Sequence, residues 1–214
     1  MTITEPGVTL TDYGLAIECA VITYLLLQQR SHSTALFRWF VVFFCVLGLS
    51  AFIGGTSHGF VNDESSPFYT LVWNLTLISL GAVAVSAYMI SSILFAREHS
   101  NKRFSRYIVG AFIVYCGVII LVNNTLLIAI TFYLPATASM LAALLWTFYK
   151  RRQLFILSGA VGLLLTFIAA GIQQSGYSLH PLWFNHNVIY HVLMAIAIML
   201  LFYTARGFIA MESR

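Results

Sequence analysis

Residues Trp183–Ala197 read WFNHNVIYHVLMAIA, and the apolar run they open continues to Phe208. A helix of about 20 mostly apolar residues crosses a bilayer, so this stretch predicts a membrane span. Its first half carries His186, Asn187 and His191. Such groups are costly in lipid and require partners from other parts of the chain. Working outward from this stretch, six further runs qualify as spans: Asp12–Gln28, Ala35–Phe60, Pro67–Ala96, Phe104–Val122, Thr125–Tyr149 and Leu154–Gln173. Only Asn123–Asn124 separates the fourth from the fifth. The expected fold is all-α: one seven-transmembrane-helix domain over residues 1–214, without internal repeats.

Composition agrees. Of the 214 residues, 60% are hydrophobic and 8% are charged, against roughly 25% charged in a soluble domain. The net charge of +4 comes from loop residues and does not indicate nucleic-acid binding, because topology accounts for it. Arg30, Arg38, the Arg97–Arg106 loop, Lys150–Arg152, Arg206 and Arg214 all fall on one side of the seven-span arrangement. The alternate segments carry Glu5, Asp12, Asp63, Glu64, Asn123–Asn124 and His180. By the positive-inside rule the N terminus is outside and the C terminus cytoplasmic. Cys19, Cys45 and Cys116 lie singly inside apolar runs and read as small core residues. The opening MTITEPGVTL has no basic segment, so no cleaved signal is expected. Nothing in the sequence sets the oligomeric state.

Within the spans, Glu18 is the only deep acid, and His58 and His191 are the intramembrane histidines. At 1.5 Å per residue Glu18 is expected about 10 Å below the outer surface. The alternating direction of the helices brings His58, Asn74, Asn187 and His191 to a similar level. Asn187 and His191, four apart, share a helix face, about 40° from each other; His186 does not share it. In GGTSHGF, Gly54, Gly55 and Gly59 bracket His58. Small residues allow close helix packing and also leave room beside an imidazole. The cluster admits two readings. One is a zinc site, with His58, His191 and either Glu18 or His186 as ligands and a metal-bound water as nucleophile. The other is a hydrogen-bonded network joining helices, able to bind a ligand or respond to protons. No HExxH, GxSxG or glycine-rich phosphate loop is present. A transporter is a third reading, with Pro135 in FYLPA as its one kink candidate, but it lacks the inverted repeat such folds use.

The seven spans, His58 at the end of helix two and Asn187–His191 in HNVIYHVL resemble the CREST superfamily of membrane hydrolases, which includes alkaline ceramidases and the progestin and adipoQ receptors. The resemblance implies zinc held by three histidines and hydrolysis of a lipid amide or ester. His58 and His191 match two of those histidines. Asn187 stands where the third is expected, Gly54 where a serine is, and Asn74 where an aspartate is. On this reading Glu18 serves as third ligand or general base, with His186 as the other candidate ligand. Asn74 and Asn187 would hydrogen-bond the developing oxyanion. The partners implied are membrane lipid and a lipid-like substrate, in a bacterial inner membrane.

Overall fold

The computed structural model describes residues 3–29, 34–61, 63–96, 102–180 and 183–212. Arg30, Arg97 and Arg214, part of the charge argument for orientation, lie outside the described residues. Among the described residues there are seven helices: α1 (Pro6–Gln28), α2 (Ala35–Phe60), α3 (Pro67–Ala96), α4 (Lys102–Leu121), α5 (Leu126–Arg151), α6 (Leu154–Ser175) and α7 (His186–Glu212). All seven are long and apolar enough to cross a bilayer, and the chain is an integral membrane protein. Large apolar side chains such as Ile17, Phe52, Leu71 and Ile113 point outward, as lipid-facing residues do.

The ends of the helices follow from local chemistry. Thr34 caps α2 by accepting the Phe37 N–H at 3.2 Å. Pro67 opens α3, where its missing N–H costs nothing. Gly176 ends α6 at φ 69°, a left-handed conformation that glycine adopts without strain. Asn123–Thr125 break the chain between α4 and α5, and α5 runs through Pro135 without interruption.

Two boundaries differ from the sequence reading in ways that matter for the site. Helix α1 begins at Pro6, not at Asp12. Proline suits the first helical turn because its φ is pre-set. The polar residues that follow stay helical by bonding back to the main chain: Thr9 Oγ1 donates to Glu5 O at 2.8 Å. Asp12 therefore lies inside the helix. Helix α7 begins at His186, not Trp183, because Phe184 pairs with His180 through reciprocal backbone hydrogen bonds at 3.0 and 3.1 Å.

The helices α1, α2, α3, α5, α6 and α7 pack each against the next, and α7 returns to α1. This closes a ring. Helix α4 stands outside it on α3, with Tyr115 stacked on Phe132 of α5 at 4.8 Å. The core, including Phe40, Phe44, Met140, Leu144 and Leu201, fills the half of the ring remote from the N terminus. The half nearer the N terminus is hollow.

Candidate functional site

The hollow is a cavity of about 440 Å³ between the ring helices. It reaches from His58 inward to Leu47 on α2, about 16 Å along the helix. Its walls are mostly apolar, with Leu15, Leu80, Met194 and Ile198 among them. The hydroxyl-bearing Ser50, Thr76, Tyr133, Thr137, Thr166 and Tyr190 are spread among them, and the ionisable and amide side chains gather toward the N-terminal end: Asp12, His58, Gln173, Gln174 and His191.

The most deeply buried of these form a pair. His191 Nε2 lies 3.3 Å from Asp12 Oδ1, with the side chains 10% and 8% exposed. The other ring nitrogen, Nδ1, lies 2.9 Å from Thr11 Oγ1. That hydroxyl is also 2.9 Å from the carbonyls of Gly7 and Val8. The one hydroxyl proton goes either to a carbonyl or to the ring, and in both cases Nδ1 has a hydrogen-bond partner. His191 is thus clamped between two consecutive residues of α1, Thr11 and Asp12. Thr11 does not line the cavity, so this arrangement is not a nucleophile–histidine–acid triad.

His58 occupies a different environment. Its Nδ1 lies 2.6 Å from Glu5 Oε2, and both side chains are about one-third exposed (34% and 39%). His58 and Trp73 also line a second cavity, of about 310 Å³, formed with Thr4, Glu5, Ser57, Val61, Glu64 and Tyr69. The two residues thus mark the boundary between an inner chamber and an outer vestibule.

The glycines of GGTSHGF divide by role. A Cβ on Gly55 would come 2.8 Å from Asp12 Cβ, and one on Gly59 would come 2.8 Å from Thr9. These two let α1 and α2 touch. A Cβ on Gly54 would meet only Asp12 Oδ2 and Thr76 Cγ2, each at 3.8 Å. Gly54 lines the chamber.

The other residues expected at the site lie apart from it. Glu18 lines neither cavity. It is six residues beyond Asp12, which turns it about 120° around the helix and about 9 Å deeper, and its Oε1 is buried without a hydrogen-bond partner. Asn74 accepts a hydrogen bond from Asn124 Nδ2 at 3.0 Å and so ties α3 to the turn before α5. Asn187 accepts from Gln173 Nε2 at 3.0 Å, which joins α7 to α6. His186 begins α7, and its backbone N–H bonds Ser178 Oγ at 3.2 Å. The chamber thus brings together His58 and His191 but not Glu18, Asn74, Asn187 or His186. Among the described residues, no three His, Cys, Asp or Glu side chains converge in a way that could hold a metal ion. Each histidine has its own carboxylate instead.

Asp12 and Glu5 are the residues that reading the sequence missed. The signal for Asp12 was present. Val8, Asp12, Leu15, Cys19, Ile22 and Leu26 recur at spacings of four and three, and all are buried. An acid on such a stripe faces the interior.

A family model described as a family of unknown function (DUF6962) matches residues 8–210, and the chain belongs to that family. No curated protein matches it in sequence.

Proposed function

We propose that the protein binds a small, largely apolar molecule in the chamber, with the Asp12–His191 pair as the polar end of the site. The observation that carries this reading is a 440 Å³ cavity, apolar over most of its wall, with its ionisable and amide groups at one end. Ligand sites have this form: apolar walls supply most of the binding, and sparse polar groups set orientation. The pair is suited to hydrogen-bonding a hydroxyl or amide, since Asp12 Oδ1 faces His191 and its other oxygen, Oδ2, lies beside the chamber-lining Gly54. In the orientation set by the basic loops, the vestibule faces outward. The protein is then a membrane receptor or carrier-like binding module.

Zinc-dependent hydrolysis of a lipid amide or ester, which the CREST resemblance implies, is the rival. It requires His58 and His191 to share one metal with a third ligand. The donor set does not fit that requirement, because the groups are divided into a buried pair, Asp12–His191, and a partly exposed pair, Glu5–His58.

Mass spectrometry of organic extracts from protein purified in mild detergent tests the binding proposal. A stoichiometric lipophilic molecule retained by the wild type and lost from Ala170→Phe and Ser50→Leu, both chamber-wall changes, is the expected result. A wild type that carries no such molecule and shows no saturable uptake of alkyl-chain probes would refute it.

A further inference from the structure

The vestibule has a chemistry of its own. Tyr69 and Trp73, one turn apart on α3, stack with ring centroids 6.4 Å apart at 15°. Glu5 and Glu64 complete the walls with His58. Neither the vestibule nor the chamber is lined by a lysine or arginine among the described residues. The sequence makes this a property of the whole N-terminal end of the bundle: residues 1–29, 39–96, 107–149 and 153–205 contain no Lys or Arg. Aromatic faces attract cations through their quadrupole, and carboxylates at a cavity wall add to that field. An anion would face two carboxylates with no lysine or arginine in the lining to offset them.

Resting on the reading of the chamber as a ligand site, we infer that the ligand is a cationic amphiphile. Its apolar body occupies the chamber and an amine or quaternary ammonium head occupies the vestibule between the Tyr69–Trp73 faces and the two glutamates. The division of charge supports this placement. Asp12 is deep and already faces His191, whereas Glu5 and Glu64 are at the mouth. A head that stays at the mouth keeps part of its hydration while the chain is fully desolvated. The shared residues His58 and Trp73 are where head and body would join.

Saturation binding to the full chain in nanodiscs, with empty nanodiscs subtracted, tests the inference. Three probes share one alkyl chain and end in trimethylammonium, hydroxyl or sulfate. The ammonium probe is expected to bind about tenfold more tightly than the alcohol, the size of one partly desolvated cation–π contact, and the sulfate most weakly. In Glu64→Gln and Tyr69→Leu the ammonium-to-alcohol ratio is expected to fall to within about twofold. Equal binding of ammonium and alcohol, or preference for the sulfate, would overturn the headgroup assignment while leaving the chamber as an apolar site. Failure of all three probes to bind above empty nanodiscs would overturn both.

Discussion

Adjacent glycines in α2 offer a sharp test, because one touches α1 and the other faces the chamber. Gly55→Ala would place a methyl group 2.8 Å from Asp12 Cβ and 3.3 Å from the Tyr13 ring. Normal carbon–carbon contact is 3.5–4.0 Å, so α1 must move outward by roughly half an ångström or more. Overpacking of this kind costs about 1–3 kcal/mol, which for a chain of this size lowers the melting temperature by roughly 2–12 °C. Gly54→Ala would place its methyl 3.8 Å from Asp12 Oδ2 and Thr76 Cγ2, in ordinary contact. Its stability is expected to stay level or rise slightly, since alanine is the better helix former. Its effect should fall on binding, because the methyl occupies the chamber beside Asp12. Thermal unfolding in detergent, followed by saturation binding of an alkyl-chain alcohol, reads both consequences. Equal destabilisation by the two changes would refute the assignment of Gly54 to the chamber wall. A Gly55→Ala protein as stable as wild type would refute the close α1–α2 contact.

Asp12→Leu leaves His191 Nε2 buried without a partner and is expected to cost about 1–3 kcal/mol; Asp12→Asn, whose amide can pair with Nε2 as donor or acceptor, should cost less than half as much in the same melting assay. Equal costs would refute a stabilising Asp12–His191 contact. Metal analysis of protein purified without chelators is expected to find zinc well below one per chain; stoichiometric zinc, lost from both His58→Ala and His191→Ala, would restore the hydrolase reading. Asn124→Ala removes the amide donor to Asn74 and should lower stability by about 0.5–1.5 kcal/mol without changing probe affinity in the chamber.

How much could be read from the sequence depended on what kind of physics each feature obeys. The spans were legible because a bilayer imposes length and apolarity on every crossing segment, and the bounds of α2 and α3 match the apolar runs to the residue. That His58 and His191 border one cavity followed from alternating helix direction and depth. Which acid joins them did not follow. Depth alone favoured Glu18, but azimuth decides, and azimuth depends on where α1 starts. A first span that starts at Asp12 leaves that acid at the helix mouth and hides its place on the buried stripe between Val8 and Leu15. Asn74 and Asn187 were drawn in for their polarity, yet each satisfies a local neighbour, Asn124 and Gln173. A polar residue at the right depth is as well explained by the nearest helix end as by a distant site.

The same geometry reconciles the two meanings that the glycines around His58 admitted. Close packing and room for a ligand are not alternatives here, because different residues serve them. Gly55 and Gly59 bring the first two turns of α1 against α2, and Thr4 N–H reaches Gly59 O at 3.3 Å. That approach is what carries Glu5 to His58 and sets Asp12 beside His191. Both carboxylates thus come from one short segment, Glu5–Asp12, held in place by the absence of two side chains. Gly54, one residue before Gly55, faces the other way and keeps open the space that the carboxylates border. The motif works as a hinge between architecture and site: a Cβ on one of its faces displaces the helix that supplies the acids, and a Cβ on the other enters the chamber those acids overlook.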